Sequence, residues 1–201
     1  MDKTIIFATS NEGKMKEIRI LLKDLGIEVL SLQEAGIDTN IEENGKTFEE
    51  NAIIKAKAVS KLTSCLVLAD DSGLEVDYLG KAPGVYSARY MGAETSYEIK
   101  NKAIIEQLSD ALPSERSARF VCVIAAVFPD GKIIVTNGTM EGSIAYASAG
   151  EEGFGYDPIL FIPQYAKTCA ELTLDQKNEI SHRGKALRAM KEQLKKVYEE
   201  N

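Results

Sequence analysis

The chain has 201 residues, long enough to bury a sizeable core. Apolar residues make up 44% and charged residues 27%, which excludes wholesale disorder. Lys and Arg number 24 against 31 Asp and Glu, a net charge of −7, which argues against a bulk nucleic-acid binder but not against a small anion met by a local basic pocket or a metal.

Residues 4–9 (TIIFAT) are a β-rich run that enters a polar turn at 10–13. From 14 to 25, Met15, Ile18, Leu22 and Leu25 recur at helical steps, and Gly26 stops the helix. Residues 28–32 read as a second strand, and 39–46 as a polar loop with the adjacent acids Glu42 and Glu43. Thr47 and Glu50 form a capping box, opening a helix with Phe48, Ala52, Ala56 and Val59 on one face. Residues 65–69 (CLVLA) are continuously apolar, as a strand covered on both sides requires, and the run ends at Asp70-Asp71-Ser72-Gly73. Residues 80–92 contain Pro83-Gly84 and read as a structured loop. Thr95 and Glu98 repeat the capping box before a helix reaching about residue 108. Two β-rich runs, 119–128 and 132–136, meet across Pro129-Asp130-Gly131, a hairpin pattern. Residues 150–158 are glycine-rich and polar, and 159–162 apolar. Thr173 caps a short helix reaching 180. A last helix from His182 carries Leu187, Met190, Leu194 and Val197 on one stripe. No repeat or low-complexity tract interrupts this alternation, which places the chain in the α/β class.

Cys65, Cys122 and Cys169 are widely spaced and odd in number, unlike a metal knuckle or a disulfide framework. Cys65 and Cys122 lie in apolar runs and read as buried reduced thiols. The apolar stretch near the N-terminus is too short for a signal-peptide core, and no run approaches the ~18 apolar residues of a membrane helix. The expected setting is soluble, reducing and cytoplasmic, with no membrane partner.

Four segments carry candidate chemistry. In Thr9-Ser10-Asn11-Glu12-Gly13-Lys14 a strand runs through a glycine-containing turn into a helix. Helix-start N–H groups hold phosphate oxygens, and Lys14 adds a point charge. The spacing is not that of a Walker loop, and an ordinary βα turn is the structural reading. Asp70-Asp71-Ser72-Gly73 follows an apolar strand, where α/β proteins commonly place ligands. If strand geometry persists, Asp70 and Asp71 point to opposite faces, so one reaches the cleft and the other braces the loop. The same holds for Glu42 and Glu43. One carboxylate from each pair suits Mg²⁺, which takes one or two carboxylates, waters and substrate phosphates. The structural reading is a turn in which an Asp caps nearby N–H groups. In Gly153-Phe154-Gly155-Tyr156-Asp157-Pro158 the aromatics either stack on a nucleobase or pack inward in a tight turn. Lys177 with Ser181-His182-Arg183-Gly184 contains the one histidine; cations at a helix start oppose the dipole, which points to a nearby anion or acceptor.

Taken in order, these segments identify a resemblance. ATSNEGK (8–14), TFEENAIIKA (47–56), ADDSGLEVD (69–77), APGVYSARY (82–90), GFGYDPIL (153–160) and KNEISHRGKAL (177–187) resemble the inosine triphosphate pyrophosphatase family, also called the dITP/XTP pyrophosphatases. The resemblance spans nearly the whole chain. It implies one domain over 1–201, with an elongated mixed sheet flanked by helices and two lobes with a cleft between them. It also implies a homodimer and Mg²⁺. By similarity, Thr9, Ser10, Asn11, Glu12, Gly13 and Lys14 hold the triphosphate. Asp71 is the catalytic carboxylate, Glu43 and Asp71 are the metal ligands, and Ser72 contacts substrate. Phe154, Gly155, Tyr156, Asp157, Lys177, His182 and Arg183 surround the nucleotide, largely its base. The implied reaction is attack of water on the α-phosphorus of ITP, dITP or XTP, releasing a monophosphate and pyrophosphate. Arginine is donor-only, so Arg183 facing the 6-position would accept a 6-oxo purine and oppose adenine. Rival readings are a pyrophosphatase of pyrimidine or modified nucleotides and a nucleotide-binding regulatory module without turnover.

Overall fold

A computed structural model of the chain describes residues 4–23 and 26–199. Leu25, placed above on the first helix face, lies outside the described residues. Among the described residues, seven strands form one mixed sheet in the order β2 (Glu28–Ser31), β1 (Thr4–Phe7), β3 (Leu66–Val76), β4 (Ser117–Val127), β5 (Ile133–Ile144), β6 (Leu160–Ile162), β7 (Lys167–Thr168). The chain divides into two compact units. The first gathers the described residues of Met1–Asp71, Cys122–Gly138 and Arg183–Asn201; the second comprises Ser72–Val121 and Thr139–His182.

In the first unit β1 (Thr4–Phe7) runs parallel to β2 (Glu28–Ser31) and to the start of β3 (Leu66–Val76), pairing Ile5 with Val29 and Leu66. Alternation sends Ile5, Phe7 and Leu68 to one face. There they join Met15, Ile18 and Leu22 of α1 (Glu12–Leu22) and Leu187, Met190 and Leu194 of α5 (His182–Glu199) in one core. α2 (Phe48–Ser60) buries Phe48, Ala52, Ala56 and Val59, as its periodicity requires. Cys122 is fully buried, and burial pushes its thiol up to about 12; Cys65 is only half-buried, so the buried expectation holds for one of the two.

The second unit has its own core. Leu74, Ile104, Leu108, Phe120, Ile144 and Leu160 cluster among α3 (Tyr97–Gln107), β4 (Ser117–Val127), β5 (Ile133–Ile144) and β6 (Leu160–Ile162). β6 pairs antiparallel with β5 and with β7 (Lys167–Thr168), and α4 (Leu174–Ile180) is opened by the expected Thr173 cap. β4 and β5 adjoin through the turn at 128–132, where the Gly131 N–H donates to the Phe128 carbonyl.

Four local expectations are corrected. α1 starts at Glu12 rather than Lys14, because the Asn11 carboxamide caps it by accepting from the Lys14 N–H at 3.0 Å. α3 is capped by Ser96, while the Thr95 hydroxyl turns back to the Met91 carbonyl at 2.8 Å. Thr47 does cap α2, but Glu50 accepts from the Lys46 N–H, one residue before the expected partner. β3 does not end at Asp70; it continues to Val76. The two aspartates therefore sit inside a strand.

Candidate active site

That placement decides where each carboxylate goes. Asp70 shares the face of Leu68, toward α1 and α5, and Asp71 faces the opposite way, toward α2. Asp70 is 1% exposed and receives Lys14 Nζ at 2.9 Å and Arg183 Nη2 at 3.4 Å. Arg183 also meets Glu17 at 2.6 Å. Burial alone would raise the Asp70 carboxyl, but Lys14 and Arg183 outweigh it and hold it well below the usual carboxylate range.

On the other face α2 presents two polar side chains four residues apart to the same carboxylate. Asn51 Nδ2 donates to Asp71 Oδ2 at 3.1 Å, and Lys55 Nζ donates to Asp71 Oδ1 at 3.2 Å. Lys55 Nζ stands equally near Glu43 Oε1, at 3.2 Å. Glu43 and Asp71 thus converge from separate segments on one ammonium, whereas Glu42 is exposed. Desolvation raises Asp71 above the ordinary carboxyl value; Lys55 opposes that and Glu43 adds to it. Desolvation also disfavours the Lys55 ammonium, but attraction to Asp71, Asp70 and Glu43 outweighs it and raises its pKa. Asn51 Oδ1 accepts from the Gly45 N–H at 2.8 Å, tying the acidic loop to the same helix. A cavity of about 220 Å³ adjoins these groups, lined by Thr9, Ser10, Lys14, Glu43, Lys55 and Asp70 among others.

No three His, Cys, Asp or Glu side chains form a metal cage among the described residues. Two hard carboxylates around a cation nevertheless match what Mg²⁺ asks of a protein, since waters and substrate phosphates complete its shell.

The second unit arranges 153–157 by itself. Asp157, 3% exposed, accepts from the Phe154 N–H and from Lys177 Nζ, each at 2.8 Å. Tyr156 packs inward and gives its hydroxyl to the Ser87 carbonyl at 2.8 Å. Phe154 stays 39% exposed, with Lys177 Nζ 5.0 Å from its ring centre. Tyr156 takes the inward-packed alternative, whereas Phe154 does not pack inward. His182 is buried and stacks on Phe120 with centroids 5.0 Å apart.

The Ham1 family model matches residues 5–193. The chain belongs to the Ham1 family. Among curated relatives, this Ham1 chain is 50% identical to a dITP/XTP pyrophosphatase of Clostridium perfringens, over 97% of the chain and 98% of the relative. It is 49% identical to a dITP/XTP pyrophosphatase of Desulforamulus reducens, over 96% of each. Among solved structures, the HAM1 protein of Coxiella burnetii aligns with TM-score 0.89 at 42% identity, covering 98% of this chain and 100% of that one. The Staphylococcus aureus Ham1 protein gives 0.87 at 41%, covering 96% and 99%.

Thr9, Ser10, Lys14 and Glu43 of the Ham1 chain therefore border one cavity, and Asp71 joins Glu43 through Lys55. Asn11 caps α1, and Glu12 and Gly13 form its first turn. Ser72 lies half-buried within β3, not in a turn beyond it. Arg183 departs from its expected surroundings: it is 1% exposed and joins Glu17 and Asp70 in the first unit, while Phe154, Lys177 and His182 belong to the second. The anion inferred from its position at a helix start includes the protein's own carboxylates. Sequence reasoning missed Asn51, Lys55 and Glu17. The signal was present in α2, where Asn51 and Lys55 fall on the stripe of Phe48, Ala52 and Ala56, polar residues at buried positions.

Proposed function

We propose that this Ham1 chain hydrolyses non-standard purine nucleoside triphosphates, dITP and XTP among them, to the monophosphate and pyrophosphate. The observation that carries the reading is the convergence of Glu43 and Asp71 on Lys55, beside the cavity bordered by the 9–14 helix start. The activity for which these relatives are named supports the same substrate class.

The helix start and Lys14 hold phosphate oxygens, with Asn11 contributing through its amide nitrogen because its oxygen caps α1. Asp71 takes a proton from the attacking water as that oxygen bonds to the α-phosphorus, and the bond from the α-phosphorus to the bridging oxygen breaks to release pyrophosphate. Burial makes Asp71 a stronger base than an exposed aspartate, while Lys55 and Asn51 favour its ionised form. Glu43 and Asp71 would hold Mg²⁺, which supplies Lewis-acid polarisation of phosphoryl oxygens. Ser72 follows Asp71 as a substrate contact. At the base end, Phe154 offers a stacking face, Lys177 is donor-only and His182 flanks it. Donors suit a 6-oxo purine, whereas the 6-amino group of adenine would oppose them. A cytoplasmic homodimer over 1–201 belongs to the same proposal.

A panel of dITP, XTP, GTP, ATP and dTTP, with and without Mg²⁺, tests it by pyrophosphate release. Release is expected from dITP and XTP with Mg²⁺ and far less from ATP and dTTP. Equal release across the panel, or none, overturns the reading. Light scattering on the purified chain tests the dimer.

A further inference from the structure

The segment that exposes Phe154 is fixed at three points in the second unit. Asp157 is tied to Lys177, and Tyr156 to the Ser87 carbonyl, with its ring edge-on to Tyr97 at 5.1 Å. The third point is the Gly155 carbonyl, which accepts from Asn101 Nδ2 at 3.1 Å. Gly155 lies between exposed Phe154 and anchored Tyr156, at φ +70°, in the left-handed region that favours glycine. It has no side chain, so its orientation depends on what grips its backbone.

Asn101 comes from α3 and belongs to none of the chemistry-bearing segments. It is 4% exposed, and its Oδ1 is buried with no hydrogen-bond partner among the described residues. An orphaned buried acceptor is destabilising, and leucine would fill a similar volume without that penalty. Stability does not account for an asparagine here; its grip on Gly155 does. The preceding residue has a parallel task. Lys100, 1% exposed, donates to the Ala88 carbonyl at 2.7 Å, next to the Ser87 carbonyl that Tyr156 uses. Consecutive residues of α3 thus tie the 84–89 turn and the 153–157 loop to one helix.

We infer that Asn101 is a positioning residue for the purine end of the nucleotide: through Gly155 it fixes the aim of Phe154. The inference rests on the nucleotide reading above. Loss of the grip should weaken what Phe154 stacks on and leave the phosphate end alone.

The experiment compares wild type with Asn101→Leu and Asn101→Asp. The readouts are kcat and KM for dITP, and inhibition constants for inosine monophosphate and for inorganic tripolyphosphate. Asn101→Leu removes donor and acceptor; Asn101→Asp keeps size and sets an acceptor against the Gly155 carbonyl. Both should raise KM for dITP and the inosine monophosphate constant about tenfold, the scale of one lost hydrogen bond. In both, kcat and the tripolyphosphate constant should stay within about twofold. An unchanged inosine monophosphate constant overturns the inference. So does equal weakening of both inhibitors, which marks a merely structural role. If Asn101→Leu does not fold, Asn101→Asp decides by the same two constants. A wild type that releases no pyrophosphate from dITP or XTP overturns the nucleotide reading and this inference with it; an active wild type with unaltered variants overturns this inference alone.

Discussion

Asp70 and Asp71 are adjacent, yet their surroundings push them in opposite directions. Lys14 and Arg183 hold Asp70 ionised, while burial raises Asp71 and leaves it the better base. Asp71→Asn should lower kcat by about 10²–10⁴ with little change in KM, the scale of a lost general base. Normal single-turnover rates in that variant would remove Asp71 from catalysis. Arg183 belongs to the other side of the pair. Removing it takes a buried cationic partner from both Glu17 and Asp70, so Arg183→Ala should destabilise the fold by about 3–5 kcal/mol. Urea unfolding checks this; a variant as stable as wild type would show that the pair is not tightly coupled. The opposite-face argument for Asp70 and Asp71 was legible from sequence, because strand alternation fixes it once the strand is known. The partners of Asp70 were not: Lys14 and Arg183 lie 56 and 113 residues away in sequence, and local pattern carries no information about those contacts.

Among the elements, those with strong periodicity were read correctly. The α2 and α5 stripes, the Thr173 cap and the turn at 129–131 all appear where spacing puts them. Errors fell where two local patterns compete. Thr95 and Ser96 are both good caps, and a polar Asp-Asp-Ser-Gly run looks like a turn until neighbouring strands and Lys55 satisfy it. The loop before α2 is held closely at Gly45, where an added Cβ would lie 2.6 Å from Asn51 Oδ1 and 2.8 Å from Glu50 Cβ. Gly45→Ala should therefore displace Asn51 from Asp71, destabilising by about 1–3 kcal/mol and lowering kcat. Full activity would show that Asn51 is not needed in that position. The turn after β2 supplies a pH test. Glu34 accepts from the Ser31 N–H and from Arg19 of α1, and these bonds lower its carboxyl from 4.5 to about 2. A depressed carboxyl stabilises the fold above its unfolded value, and that contribution fades as pH falls from about 4.5 toward 2. Glu34→Gln should flatten this part of the acid-unfolding curve. An NMR titration midpoint near 4.5 for Glu34 in the folded protein would contradict the argument.

At the scale of the molecule, charge sets the terms on which a polyanion is accepted. The chain carries −7 overall. Locally, Lys14, Lys55 and Arg183 face Glu17, Glu43, Asp70 and Asp71, so carboxylates outnumber cations even around the helix start. A nucleoside triphosphate brings roughly four more negative charges, and at separations of ~4 Å each unpaired repulsion is worth about 1–4 kcal/mol between water-like and surface-like dielectric. The protein's own cations are largely spent on its own acids, so on the proposed function affinity is expected to depend on a divalent ion, which Glu43 and Asp71 would hold. Calorimetric titration of the whole chain with dITP, using a variant too slow to turn over such as Asp71→Asn beside wild type with a chelator, measures that dependence. Binding to wild type should weaken at least about tenfold when Mg²⁺ is chelated, and Asp71→Asn should show a smaller Mg²⁺ effect because one ligand has lost its charge. Affinity indifferent to Mg²⁺ would mean that Lys14 and the helix start neutralise the triphosphate unaided, and that Glu43 and Asp71 converge for the sake of Lys55 alone.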